Sequence, residues 1–295
     1  MDRITRSEKI FNFVNTCILC LLILAIVIPM LSVLGASFVS QAEVARRGEF
    51  ILIPEDWDLS SYEMVFNSPN IWRGYRNTIM LVVVGTSSSM IATICMAYPL
   101  SKRKLRGRNA ILGMVFFTMI FNGGTVPTYM LVSNLHLCDT FWALFVPTLM
   151  NTWNMLLMRN FFYSVPDALE EAALLDGANQ AQILVKVYLP LSLSSIATIT
   201  MFYGVAYWNA WWPGVIYLNA NTWQPVQNII RNIVAAANAA QSDLNVAGVA
   251  DDYIMPPAHS LKCATIVVGT VPILVVYPFV QKYFVKGVMV GSVKG

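Results

Sequence analysis

Charged residues are scarce in this sequence of 295 residues, and their scarcity is the first constraint on its fold. Only 12% of the residues are Asp, Glu, Lys or Arg, whereas 57% are hydrophobic. A soluble domain carries roughly twice that share of charge. Six windows contain no charged residue, and each is about as long as, or longer than, the ~20 residues that cross a bilayer as a helix. These windows are 10–42, 77–101, 109–138, 140–158, 187–230 and 263–281. The sequence therefore predicts an all-α membrane protein.

Groups that catalyse reactions or hold metals are equally scarce. His136 and His259 are the only histidines, and the C-x-x-C pair Cys17 and Cys20 lies in an apolar window without companion ligands. Cysteines in such surroundings act as small hydrophobic residues. The sequence also lacks a G-x-x-x-x-G-K-[ST] phosphate loop for ATP. We therefore predict no catalytic residues, no metal site and no cofactor in this chain, and its net charge of +3 gives no sign of a nucleic-acid partner.

The charge-free windows predict six membrane spans, at 11–38, 71–100, 110–132, 141–160, 192–218 and 260–283. Basic residues concentrate on the cytoplasmic side of membrane proteins, and five of them lie between Ser101 and Asn109. This bias places both termini in the cytoplasm, as tails at 1–10 and 286–295 around a six-span membrane domain at 11–285. The outer segments 39–70 and 219–258 are then small lids or docking surfaces.

The segment from Ser164 to Leu191, between the fourth and fifth spans, has the pattern of two short helices joined by a turn. Pro166 suits a first helical position, and the acidic residues that follow complement the helix dipole. Gly177 suits a helix end that requires a positive φ, and Pro190 ends the second helix. The alternative is an amphipathic helix resting on lipid headgroups. Because the first helix is acidic and the cytoplasmic leaflet is anionic, a protein socket fits the segment better.

The same segment resembles the EAA loop of ABC importer permeases. The resemblance rests on Glu171-Ala172-Ala173, Gly177, Val187 and Leu189-Pro190 at the family's spacing, with Val187 where isoleucine is usual. Tyr207-Trp208-Asn209 is similar to the carbohydrate-uptake permeases related to the smaller maltose permease subunit. Asn122-Gly123-Gly124 and the ending Val290–Gly295 are closest to the branch that includes aldouronate and alginate importers. The resemblance implies a type I ABC importer permease fold in the bacterial inner membrane, with a coupling loop at 164–191.

The resemblance also implies partners and their contact residues. The ATPase-coupling residues would be Glu171, Ala172, Ala173, Gly177, Leu189 and Pro190. The expected partners are a second, homologous permease subunit in a heterodimer, two copies of an ABC ATPase that bind ATP and Mg, and an external solute-binding protein. The expected cargo is an oligosaccharide, with an acidic sugar such as alginate as the most specific form of the prediction.

Aromatic and amide side chains in the predicted spans are the candidates for sugar contacts, because flat apolar rings stack on sugar faces and amides bond hydroxyls. The candidates are Tyr203, Tyr207, Trp208, Asn209, Trp211, Asn122 and Asn154. The alternative for the aromatic residues is an interfacial belt. Two other functions stay open: an ABC importer of a non-sugar solute, and an ion-coupled secondary transporter. The charge-free spans disfavour the latter, because ion coupling uses intramembrane ionisable residues.

Overall fold

The computed structural model describes residues 6–220, 222–247 and 258–292, and the regular elements of this part are helices. The chain forms two compact units, Met1–Ile71 with Ile230–Val271, and Trp72–Ile229 with Pro272–Gly295. The first seven helices are α1 (Arg6–Ala36), α2 (Gln41–Arg47), α3 (Ser60–Asn67), α4 (Pro69–Ser101), α5 (Arg108–Ile120), α6 (Thr125–Asn134) and α7 (Thr152–Tyr163). The others are α8 (Asp167–Leu175), α9 (Gln180–Leu191, π-helical over Leu184–Tyr188), α10 (Leu193–Trp208), α11 (Trp212–Tyr217), α12 (Val226–Ala247) and α13 (Ala258–Ser292).

Two helices are long and apolar enough to cross a membrane unaided, Glu8–Ala36 within α1 and Pro69–Ser101, which is α4. Two further candidates are bent pairs: α5 with α6, at 112°, and α9 with α10, at 85°. The described residues therefore supply two unbroken spans, or up to four with each bent pair counted as one. The predicted count of six stays a prediction. The predicted tails, 1–10 and 286–295, also stay predictions; α1 begins at Arg6 and α13 runs to Ser292, and residues 1–5 and 293–295 lie outside the described residues.

The predicted third span, 110–132, is not one unbroken helix. Between α5 and α6, Gly124 has φ +90°, a conformation that residues with a side chain rarely adopt. The Oδ1 of Asn122 accepts a hydrogen bond from the N–H of Gly124 at 2.9 Å. Asn followed by Gly favours such turns, so the Asn122-Gly123-Gly124 sequence itself ends the helix.

The predicted fourth span, 141–160, is helical only in its second half. It opens with two 3-10 turns, Phe141–Leu144 and Val146–Thr148. α7 then begins after Asn151, whose Oδ1 accepts a hydrogen bond from the N–H of Asn154 at 3.1 Å. At this break the N–H of Asn151 donates to the hydroxyl of Tyr203 at 3.0 Å. Irregular backbone is tolerated at membrane depth where protein groups satisfy it, and Tyr203 supplies one such group.

The core of the second unit joins α4, α7, α9 and α10. Its fully buried side chains include Leu81, Phe145, Met155, Met158, Phe162, Ile183 and Ile199. Two hydroxyl pairs fasten α4 to α10: Ser89 with Tyr207 and Thr93 with Tyr203, each at 2.8 Å. A Cβ at Gly85 would lie 3.0 Å from the Tyr207 ring, so the glycine permits this close approach. Hydrogen bonds and small residues are the usual basis of helix packing in lipid.

The predicted outer segment 39–70 is organised around a buried carboxylate in the first unit. Glu43 is 2% exposed and accepts hydrogen bonds from the N–H of Glu55 (3.0 Å), the N–H of Asp56 (3.4 Å) and Nη1 of Arg47 (2.6 Å). The Glu55 N–H contributes most to a pKa of Glu43 below its ordinary value; burial opposes this shift. The other predicted outer segment, 219–258, contains α12, but its residues 248–257 lie outside the described part.

Candidate functional site

The predicted coupling loop, 164–191, has the expected two helices and turn. α8 ends at Leu175, and Gly177 follows with φ +80°. The N–H of Gly177 donates to the Leu174 carbonyl, and the N–H of Ala178 donates to the Ala173 carbonyl, both at 3.0 Å. This is the Schellman arrangement that satisfies the last carbonyls of a helix. The prediction that Gly177 ends a helix with positive φ is confirmed.

A capping box starts the second helix of this loop immediately after the turn. The Oδ1 of Asn179 accepts from the N–H of Gln182, and the Oε1 of Gln182 accepts from the N–H of Asn179, both at 2.9 Å. Such reciprocal bonds satisfy two backbone donors that a helix start leaves free. The turn between α8 and α9 is thus fixed from both sides by its own local sequence.

α8 is anchored to the rest of the second unit by a cluster of five side chains, here named the Lys102 cluster: Lys102, Glu170, Tyr98, Tyr188 and Gln180. The Nζ of Lys102 lies 2.6 Å from Oε2 of Glu170, which also accepts from the Tyr188 hydroxyl at 2.9 Å. The same ammonium lies 4.2 Å and 3.9 Å from the ring centroids of Tyr98 and Tyr188. The Tyr98 hydroxyl donates to Oε1 of Gln180 at 2.7 Å. The end of α4 is therefore joined to both helices of the loop.

Electrostatics keep the carboxylate of this cluster ionised at neutral pH. Burial raises the pKa of Glu170, but hydrogen bonds from Lys102 and Tyr188, together with the charge of Lys102, outweigh burial and leave the pKa below its ordinary value. Burial lowers the pKa of Lys102, and its bond to Glu170 opposes that change. The side chains of Lys102 and Glu170 are only 19% and 16% exposed. Partial burial strengthens the attraction of such a pair relative to a surface pair.

The outward side of the loop carries most of the predicted coupling residues. Glu171, Ala172, Gly177 and Pro190 are exposed, whereas Ala173 and Leu189 pack partly against the core. Beside them, Leu174 is 47% exposed and Leu175 is 90% exposed. The exposed side of α8 thus presents two carboxylates, of Asp167 and Glu171, next to apolar side chains, a combination that suits a protein socket better than bulk water.

A cavity of about 700 Å³ lies within the second unit. Its lining residues are Leu144, Thr148, Asn151, Trp153, Asn154, Phe202, Tyr203, Ala206, Tyr207, Ala210 and Pro213. The lining combines aromatic rings with two amides and contains no charged residue. Pockets of this size and composition accept small organic ligands.

The structure brings three of the predicted sugar-contact residues to this cavity: Tyr203, Tyr207 and Asn154. Both tyrosine hydroxyls are already occupied by bonds to α4, so these residues offer the cavity their rings. Asn154 is 6% exposed, and its side-chain amide has no hydrogen-bond partner among the described residues. Its amide is therefore available to a bound molecule.

The other four predicted contact residues do not line this cavity. The amide of Asn209 donates to its own helix at the Val205 carbonyl, at 2.9 Å. Trp211 is 41% exposed and packs edge-on against Trp212. Trp208 lies beside Tyr75 on α4, with ring centroids 6.4 Å apart. Asn122 forms the turn between α5 and α6 described above.

Sequence reasoning missed the Lys102 cluster and part of the cavity wall. Lys102 stands among five closely spaced basic residues, which indicate membrane orientation but not which of them forms an ion pair. Trp153 and Phe202 reach the cavity because α7 starts late and faces α10. Both the Lys102 cluster and these two cavity residues depend on how the helices pack in space, so no local sequence signal identifies them.

The chain is similar to known transport proteins over nearly its whole length, although no family model matches it. It is 41% identical to the polygalacturonan/rhamnogalacturonan transport system permease protein YtcP of Bacillus subtilis, over 98% of this chain and 100% of that one. It is 38% identical to Protein LplC of the same organism, over 99% and 97%. A crystal structure of a bacterial ABC transporter involved in the import of the acidic polysaccharide alginate has a chain with TM-score 0.86 and 33% identity, covering 96% of this chain and 100% of that one. The chain therefore belongs to the family of inner-membrane permeases of carbohydrate-importing ABC transporters.

Proposed function

We propose that this chain forms half of the translocation pathway of a binding-protein-dependent importer, and that α8 transmits the movement of an ABC ATPase to the spans. The outward face of α8 carries this proposal. Glu171 and Leu175 point away from the core on a helix that the Lys102 cluster holds firmly to α4 and α9. A helix so fastened moves as a unit with the membrane helices, which is what coupling requires.

The proposed complex contains a second permease, two ATPase subunits that bind ATP and Mg, and an external solute-binding protein. ATP hydrolysis then occurs in the partners, and this chain contributes no catalytic group. Closure of the ATPase pair would shift α8 and its counterpart together and change which side of the membrane the cavity faces. A ligand biases such an equilibrium only by binding one state better than the other.

We further propose an acidic oligosaccharide as the cargo. YtcP is named for polygalacturonan and rhamnogalacturonan, and the solved transporter imports alginate, an acidic polysaccharide. Tyrosine rings and the Asn154 amide offer stacking and hydroxyl contacts in the cavity. Because no charged residue lines it, the carboxylates of the cargo would be neutralised by the second permease or remain hydrated.

The test is purification of the tagged chain from its native membrane, with mass spectrometry of what accompanies it. We expect an ABC ATPase and a second multi-span permease, and we expect Glu171→Arg or Gly177→Arg to remove the ATPase. Glu63→Arg, on α3 of the outer segment, is the matched control and should retain it. A chain that purifies alone and stable from several detergents contradicts the proposal.

The cargo is tested on the accompanying binding protein. Thermal-shift screening should show stabilisation by oligogalacturonides or alginate oligosaccharides and not by neutral malto- or arabino-oligosaccharides. Stabilisation by neutral sugars alone would retain the importer and exclude the acidic cargo.

A further inference from the structure

Three arginine side chains converge on one tyrosine ring at the end of the second unit that carries the coupling loop. The guanidinium carbons of Arg103, Arg159 and Arg108 lie 4.9, 5.0 and 5.5 Å from the ring centroid of Tyr163. Tyr163 is 40% exposed. The face of an aromatic ring attracts each of these cations. Three like charges around one ring nevertheless repel one another unless an anion lies between them. We name this group the Tyr163 cluster.

Two of these arginines are held in place by the backbone. Nε of Arg108 and Nε of Arg159 both donate to the carbonyl oxygen of Leu100, at 3.1 Å and 3.2 Å. Leu100 is 2% exposed, near the end of α4. Arg108 starts α5, Arg159 and Tyr163 lie in α7, and the Leu100 carbonyl belongs to α4, so three helices hold these parts of the cluster, while Arg103 lies in the turn between α4 and α5.

No carboxylate neutralises the cluster within the described part of the chain. Lys102, the neighbour of Arg103, is paired with Glu170, whereas no described Asp or Glu forms an ion pair with Arg103, Arg108 or Arg159. Arg108 is also the first residue of α5, whose N-cap, Gly107, makes no side-chain cap bond. A helix start adds a partial positive charge at this point. The local charge is therefore strongly positive and lacks an anion of its own.

Guanidinium groups bind phosphate oxygens in a planar, two-pronged geometry. The apolar surface that follows the cluster identifies the source of the phosphate. Along α5 beyond Arg108, Met114 is 62% exposed and Phe117 is 60% exposed. A phosphate held at the cluster with an acyl chain along α5 is the arrangement of a phospholipid, whereas a soluble phosphate would leave this apolar surface uncovered.

We propose that Arg103, Arg108 and Arg159 bind the phosphate headgroup of an anionic phospholipid from the cytoplasmic leaflet. The assignment of this lipid to the cytoplasmic leaflet rests on the proposed function, because the ATPase that is proposed to bind α8 lies on the cytoplasmic side. Basic pockets between membrane helices on the cytoplasmic side hold anionic headgroups in this way. The bound lipid would neutralise the helix ends next to the coupling loop.

The experiment is native mass spectrometry of the purified complex in mild detergent, with phosphatidylglycerol as the probe. Arg103→Gln is the main variant, because Arg103 contacts the ring without bonding the Leu100 carbonyl and so is least needed for folding. Arg106→Gln is the matched control, since it removes the same charge from the same loop outside the cluster. We expect wild type and Arg106→Gln to retain the lipid, and Arg103→Gln to bind it about five-fold more weakly, as one basic residue near an anionic bilayer contributes about 1 kcal/mol.

Four results would overturn the proposal. Equal weakening in Arg106→Gln would indicate diffuse surface charge, and unchanged retention in Arg103→Gln would show that the cluster does not hold the lipid. Thermal stabilisation by inorganic phosphate in phosphatidylcholine nanodiscs, equal to that by phosphatidylglycerol, would assign a soluble anion. Lipid retained by the permease alone and lost in the ATPase-bound complex would assign the cluster to an acidic protein surface. Failure of the proposed function is distinguishable, because it appears as the absence of the ATPase whether or not lipid is retained.

Discussion

Glu170 and Glu171 are adjacent residues of the same type with different surroundings. Glu170 is turned inward to Lys102 and Tyr188, while Glu171 is exposed. Sequence spacing identifies Glu171 through the family motif, but it assigns Glu170 only a role in complementing the helix dipole. The reason is that an ion pair between residues 68 positions apart depends on how α4 and α8 pack, and one sequence does not reveal that packing.

We therefore expect substitutions at the two glutamates to cause different defects. Glu170→Gln removes the negative charge beside Lys102, and we expect it to lower the free energy of unfolding of the permease by about 1–2 kcal/mol, since hydrogen bonds to charged groups are worth slightly more than this. Glu171→Gln should leave permease stability unchanged and weaken ATPase binding. Thermal unfolding and ATPase co-purification, measured on both variants, check the assignment. Equal stability of the two variants would contradict the anchoring role of Glu170.

Substitutions at Asn154 and Tyr207 test two different roles in the cavity, contact with the substrate and support of the structure. Asn154→Leu removes a free amide of similar size, so we expect slower uptake of the oligosaccharide with normal assembly of the complex. Tyr207→Phe keeps the ring and removes the hydroxyl that pairs with Ser89. We expect it to lower stability by about 1 kcal/mol and to leave substrate preference unchanged. Uptake assays in proteoliposomes, together with thermal unfolding, measure both effects. Unaltered uptake by Asn154→Leu would exclude the amide from the pathway.

At the scale of elements, local rules predicted the two helices and the turn of segment 164–191 well and the spans incompletely. Gly177 and Pro166 are signals carried by single residues. Gly177 follows the end of α8 with a positive φ, as predicted, whereas Pro166 is the N-cap, one residue before the predicted first helical position. Hydropathy windows, in contrast, report average composition and cannot show where a span breaks. The breaks at 121–124 and 149–151 depend on an Asn-Gly-Gly turn and on the Tyr203 hydroxyl, which an average does not register.

Gly177 gives a direct test of the turn after α8. Nothing lies within 4 Å of a Cβ added there, so a substitution acts through the backbone φ of +80° alone. Gly177→Ala should cost about 1–2 kcal/mol and weaken ATPase association, while Gly177→Asn, which tolerates this conformation better, should be milder. The matched control is Gly113→Ala in α5, which also meets no atom within 4 Å and should not weaken the association. An equal effect in both alanine variants would contradict a role for the turn.

We expect a pH dependence set by Glu43 in the predicted outer segment 39–70. Its folded pKa lies below the ordinary value of 4.5, so its stabilising contribution is present above that value and is lost as the pH falls through the folded pKa. The measurement is the amide-exchange protection factor of Glu55, whose N–H bonds the Glu43 carboxylate. We expect protection to decrease below about pH 4.5 and to be low at every pH in Glu43→Gln. A protection factor that is independent of pH would exclude the carboxylate as the organiser of this segment.

At the scale of the whole molecule, α1 is a helix that the rest of the described chain leaves almost entirely uncovered. Its best membrane window has a mean hydropathy of 3.1 and is only 6% buried. A helix that is apolar around its whole circumference is covered by lipid or by another protein. One stripe departs from this pattern, because Asn12, Thr16 and Cys20 lie at spacings of four on the same face. Polar and small residues of this kind mark helix–helix contacts in membranes.

We predict that the proposed second permease binds α1 at this stripe. Cys20 lies on the stripe, whereas Cys17 lies beside it, and both are exposed in the single chain. We expect an apolar maleimide to label both cysteines when the chain is expressed alone, and to lose access to Cys20 when the second permease is co-expressed. Cys17→Ser and Cys20→Ser, each made in a chain whose Cys95 and Cys138 are also replaced by serine, separate the two signals, and the buried Cys263 gives the baseline. Equal labelling of Cys20 in both preparations would mean that lipid covers this stripe and that the proposed second permease binds another surface.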